Sequence, residues 1–146
     1  MANYTGDKTA GTGKVSTVSR KKGWADLNLS LVPHPIRKDI VPLRDDAAIK
    51  NAVKNLVLTN FYERPFQPEK AANLRGLLFE PADGITKYEL SDGIRSVLED
   101  YEPRIKVQHI QVIDEEVNNS YRISIYFEII QLDIMSEVEI VLQRLR

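Results

Sequence analysis

The sequence predicts an α+β fold, a mostly antiparallel sheet with two to three helices packed on one face, plus a flexible basic N-terminal arm. Three features lead there. Apolar residues recur at helical spacing through the middle of the chain, alternate with polar ones over the last third, and are nearly absent from residues 1–23. With 146 residues, 42% of them hydrophobic and 28% charged, the chain suits one ordinary globular domain, which we place at 24–146. Residues 1–23 hold Lys8, Lys14, Arg20, Lys21 and Lys22 against Asp7, a local charge of +4 in a chain whose formal charge is −1. Their Gly, Thr, Ser and Lys content cannot offset the entropy of ordering the backbone, so the arm either orders on a partner or serves as a solubilising tail.

The elements follow in order. From Trp24, Leu27, Leu29 and Leu31 alternate with Asn28 and Ser30, predicting a half-buried strand that Pro33-His34-Pro35 ends. After a connector through Leu43, Asp45-Asp46 stands where an acidic cap would open a helix over Ala47–Asn60, with Ile49, Val53, Leu56 and Val57 as its apolar stripe. The run from Phe61 to Pro68 reads as a structured turn whose aromatics cover the edge of the core. A short helix over Glu69–Leu78, closed by Pro81, comes next. Thr86 and Glu89 fit a capping box, and Leu90, Ile94, Val97, Leu98 and Tyr101 continue a helix that Pro103 stops near Tyr101.

The final third alternates with period two. Ile105, Val107, Ile110, Val112 and Ile113 change phase near His109, predicting either a bulge or a strand covered on both faces, and Asn118-Asn119-Ser120 supplies a turn. Tyr121, Ile123, Ile125, Phe127 and Ile129 then share one face of a strand. Val138, Ile140 and Leu142 alternate with Glu137, Glu139 and Gln143 in a charged strand, Glu137–Leu145, suited to a sheet edge.

Composition excludes several chemistries. Without cysteine there is no disulfide, thiolate metal site or thiol nucleophile. The near-zero net charge gives no chain-wide footprint for nucleic acid, and no apolar run is long enough to span a membrane. Gly6–Thr12 lacks the lysine, the preceding strand and the following helix of a phosphate loop. His34 and His109 have no neighbouring ligands at metal-binding spacing, so a turn residue and a sheet residue are expected, with no metal and no cofactor. Serines 30, 91 and 96 lack a nucleophile-elbow context. Glu80, Asp83, Glu99 and Glu102 are carboxylates a glycosidase could use, but an acid falls at about every seventh position and no pair stands out, so no catalytic residue is assigned.

Glu102-Pro103-Arg104 sets opposite charges on either side of a rigid proline at a helix-to-strand junction. Either Arg104 complements the helix C-terminus and Glu102 pairs with a neighbour, or the three form a fixed ionic knuckle for a partner.

These residues carry a resemblance. Pro33-His34-Pro35, the run Asn55–Phe66, Leu77-Leu78-Phe79-Glu80-Pro81, Glu102-Pro103-Arg104 and the closing strands resemble, in order and spacing, the small baseplate wedge subunit family of contractile-tailed phages, which has relatives in the type VI secretion baseplate. The resemblance implies that residues 24–146 are a baseplate wedge domain, structural and not enzymatic, located in the virion tail and in host cytoplasm during assembly. It implies partner binding by Glu102, Pro103 and Arg104, which would dock on a helical core bundle of larger wedge proteins. It further implies that the strand carrying Val138, Ile140 and Leu142 exchanges strands with the tail sheath protein to initiate sheath assembly. Contact of the basic arm with the tail tube is suggested by its charge. The alternatives are a regulatory protein-binding module of the same fold and, less favoured, a cell-wall hydrolase.

Overall fold

Residues 23–144 are described by the structure, a computed structural model; the arm that the sequence marks out lies almost wholly outside them, as do Leu145 and Arg146. Two short strands, β1 (Ala25–Asp26) and β2 (Leu43–Arg44), pair antiparallel and lead into helix α1 (Asp45–Leu58). Turns and a 3₁₀ segment at Leu77–Phe79 connect it to helix α2 (Gly84–Tyr101). Strands β3 (Ile105–Glu115), β4 (Ser120–Ile129) and β5 (Ile134–Gln143) form an antiparallel meander with β4 in the centre. Both helices pack against one face of this sheet, the α+β arrangement predicted above.

The core sits between that face and the helices. Tyr121, Ile123, Ile125, Phe127 and Ile129 of β4 are all fully buried, as the period-two reading predicts. They meet Ile49, Val53, Leu56 and Val57 of α1 and Leu90, Ile94 and Leu98 of α2. Each such side chain contributes about 1.5–3 kcal/mol on leaving water. In β3 the register slips between Val107 and His109, so the extra residue Gln108 restores Ile110 to the inner face. The β3–β4 connection turns at Asn119, which takes a left-handed conformation that asparagine tolerates.

Five local expectations are corrected. The strand expected from Trp24 to Leu31 is only Ala25–Asp26, because the Asn28 side chain accepts hydrogen bonds from Ser30 and Leu31 turns at φ 53°. Leu27, Leu29 and Leu31 are each more than half exposed. The helix expected over Glu69–Leu78 is replaced by turns, since Asn73 has φ 47° and breaks a right-handed path; Ala71 and Leu74 are still buried. Helix α2 opens at Gly84, ahead of the predicted capping box: Asp83 Oδ1 accepts from the Thr86 N–H at 2.8 Å, and Thr86 Oγ1 donates to the Pro81 carbonyl. Finally, the aromatics of the Phe61–Pro68 turn do not cover the core, for Tyr62 is 84% and Phe66 100% exposed. Helix α1 spans Asp45–Leu58, displaced two residues toward the N-terminus from the predicted span, with Thr59 closing it on the Asn55 carbonyl.

Candidate functional site

Helix α2 stops where Pro103 forbids its continuation, and Glu102 leaves helical geometry at φ −126°, ψ 75°. That bend turns the Glu102 carboxylate back beneath Arg104. Arg104 donates from Nε to Oε1 and from Nη2 to Oε2, both at 2.6 Å, a bidentate pair with a carboxylate that is almost fully buried. The guanidinium also lies 3.7 Å from Asp26 and 5.9 Å from the centroid of the Trp24 ring. Hydrogen bonding to Glu102 pushes the Arg104 pKa upward; burial opposes that shift, and the charges of Glu102 and Asp26 reinforce it. Arg104 is therefore not the exposed charge its sequence context suggests. Both readings of the tripeptide meet here: the charges pair internally, and the resulting knuckle is rigid, with Pro103 exposed at its crest.

The knuckle forms one wall of an open groove of about 500 Å³. Leu27 and Leu29 form a second wall, Asn51 and Asn55 of α1 a third, and Tyr101 lies beside Glu102. The exposed leucines thus flank the tripeptide, a relation that periodicity alone could not show. Arg64 and Lys70 also line this groove, and nothing in their local spacing singled them out.

Val138, Ile140 and Leu142 point toward the core from β5, so a partner at this edge would meet the main chain instead of these side chains. Among the described residues β5 pairs with β4 only, leaving its other edge unpaired. Its C-terminal end is fastened. Arg144 Nη2 lies 2.9 Å from Asp114 of β3 in a nearly buried pair, its guanidinium covers the Tyr121 ring, and its backbone N–H donates to the Asn119 carbonyl.

Glu80, just after the 3₁₀ segment, is exposed, and the remaining carboxylate and histidine candidates hold structural positions. Asp83 caps α2, Glu99 faces Arg95 along the same helix at 3.8 Å, and Glu102 is engaged by Arg104. His34 Nδ1 accepts from the N–H groups of Ile36 and Arg37 in a turn, and His109 stacks on Tyr126 across the sheet.

The model of the family described as baseplate wedge protein gp25 matches residues 43–133, from β2 to the turn before β5. This chain belongs to that family. The matched segment contains α1, α2 and the whole Glu102–Arg104 knuckle; Trp24, Asp26 and β5 lie outside it. A curated relative, baseplate wedge protein gp25 of Enterobacteria phage T4, is 31% identical over 83 residues, 57% of this chain and 63% of that protein, so the match spans less than two thirds of the relative's length. Among solved structures, a chain of the anti-feeding prophage baseplate superposes with a TM-score of 0.66 at 14% identity, covering 73% of this chain and 86% of that one. A chain of the pyocin R2 baseplate gives 0.54 at 20% identity over 79% and 97% of the two chains. A Geobacter sulfurreducens protein bearing a tail-lysozyme name gives 0.63 at 15% identity over 67% and 89%. Likeness at these identities establishes the shared fold.

Proposed function

We propose that this chain is a structural subunit of a contractile-tail baseplate wedge, that it docks through the Glu102–Arg104 groove on a helical bundle of larger wedge proteins, and that it starts sheath assembly at the β5 edge. The observation that carries the reading is the family match over the segment containing the knuckle, combined with an open groove beside that knuckle. A groove with apolar walls on one side and a prepaired, proline-fixed charge cluster on the other suits a helix, because neither wall must reorganise on docking. The unpaired main chain of β5 suits addition of a sheath strand. The positive charge of residues 1–23 favours a contact with the tail tube, and the site of action is the virion tail, with assembly in the host cytoplasm. No catalytic role is assigned: Asp83, Glu99 and Glu102 are engaged in caps and ion pairs, which leaves Glu80 alone of the four candidates where glycoside hydrolysis needs a pair.

The test is co-purification with the large wedge protein encoded in the same genome, using wild type and Leu27→Glu. Leu27 is exposed, so the charge should leave the fold intact by circular dichroism while weakening binding at least tenfold. Absence of wild-type binding contradicts the proposal. For the edge, a proline scan over Ile134–Gln143 should find positions that block sheath recruitment in a folded protein; recruitment indifferent to every folded proline variant removes strand addition from the account.

A further inference from the structure

The groove does not end at the knuckle. A second cavity of about 420 Å³ is lined by Phe66, Gln67, Pro68, Glu69, Lys70 and Tyr101, and it shares Lys70 and Tyr101 with the first. The two adjoin at Lys70 and Tyr101, and together they make a trough from Asp26 and Arg104 past Tyr101 to Phe66–Pro68, the last part of the segment Asn60–Pro68. That segment is built to hold its shape. The Glu63 carboxylate accepts from both the backbone N–H and the side-chain amide of Asn60, the Tyr62 N–H donates to the Pro68 carbonyl, and the Gln67 N–H donates to the Arg64 carbonyl. Tyr62 and Phe66 take φ values of 67° and 70°, which bulky residues rarely adopt. Held this way, their rings stand in solvent instead of on the core.

The charges along the trough differ from one end to the other. At the knuckle, Arg104 is neutralised by Glu102 and Asp26. Beyond it, Arg64 of the first cavity and Lys70, common to both, have no carboxylate among the described residues within ion-pair distance, and Lys70 lies over the Tyr101 ring, 5.6 Å from its centroid; Glu69 also lines the second cavity, which leaves two cations against one carboxylate. We infer that the trough takes an amphipathic helix whose apolar stripe runs along Leu27, Leu29 and Tyr101, whose carboxylates meet Arg64 and Lys70, and whose apolar end seats under Phe66. The inference rests on the proposed wedge docking and specifies the chemistry of the partner: an acidic flank facing Arg64 and Lys70, where the Glu102–Arg104 knuckle alone would specify none. Two cations without an ion-pair partner, against a single lining carboxylate, steer association across a partly desolvated contact.

The experiment uses the full chain and the purified large wedge protein encoded in the same genome, with dissociation constants measured at several salt concentrations. Arg64→Glu with Lys70→Glu should weaken binding at least tenfold and abolish most of its salt dependence, and Phe66→Ala should weaken it independently of salt. Lys106→Glu, on the opposite face of the sheet, serves as the remote charge-reversal control and should bind as wild type. Replacing Asp or Glu by Lys on the docking helix of the wedge protein should restore binding of the doubly reversed variant. If Leu27→Glu destroys binding while Arg64→Glu/Lys70→Glu binds as wild type with an unchanged salt slope, the wedge reading stands and this inference is wrong. If wild type does not bind, the wedge reading fails and this inference fails with it.

Discussion

Arg104 shows how a single residue can be read two ways until its partner is placed. Glu102 is buried to 4% exposure and satisfied on both oxygens by the guanidinium, so removing the arginine leaves a carboxylate in the core without a counter-charge. Arg104→Glu should therefore cost about 3 kcal/mol, at the lower end for a broken buried pair because the guanidinium keeps one flank in water; a denaturation midpoint equal to wild type contradicts this. The sequence supports the opposite expectation, an exposed charge whose reversal leaves folding untouched, because spacing does not reveal that a proline bend folds Arg104 back onto the residue two before it. Asp83 gives a second residue-scale prediction. The Thr86 N–H it accepts holds its pKa below the usual carboxylate range. A carboxylate depressed in the folded state contributes stability that is complete above its unfolded pKa of about 4 and is lost as pH falls through the lower folded value. Asp83→Asn keeps a capping oxygen yet cannot titrate, so it should match wild type near pH 7 and lose less stability than wild type below about pH 4, as thermal melts across that range will show.

At the scale of elements, α1, α2 and the three long strands are legible in the sequence because their apolar periodicity reports burial inside this chain. Phe127 in the central strand illustrates the point: Phe127→Ala should cost about 3–5 kcal/mol, and an unchanged melting curve would falsify its inward placement. The same periodicity misleads at Leu27, Leu29 and Leu31. Alternation reveals an apolar edge but not which molecule covers it, and here nothing within the described residues does. The short helix fails for a different reason, a left-handed Asn73 that a window of helix-forming neighbours masks. The bulge at Gln108 is legible because an extra residue must shift the alternation. What fastens β5 is not, since Arg144 and Asp114 are 30 residues apart and meet only once the meander closes. Arg144→Met should loosen that end, giving faster amide exchange at Val141–Gln143 than in wild type while Ile134–Val138 stays protected; uniform exchange along β5 contradicts the clamp.

For the whole molecule, the division of labour follows from where the helices pack. They cover one face of the meander, leaving β5 with an unpaired edge and placing the end of α2 beside α1 and the Trp24–Leu31 segment. The groove thus arises from four segments that are far apart in sequence, which is why Glu102, Pro103 and Arg104 could be named early while Leu27, Arg64 and Lys70 could not be joined to them. In the proposed function this groove is the surface that meets the larger wedge protein. The most direct measurement is hydrogen–deuterium exchange of the full chain, free and bound to that protein. The account predicts new protection at Leu27–Leu31, Asn60–Lys70 and Tyr101–Arg104, with the open face of the sheet unchanged. Protection confined to that open face, with the groove segments exchanging as in the free protein, would contradict it.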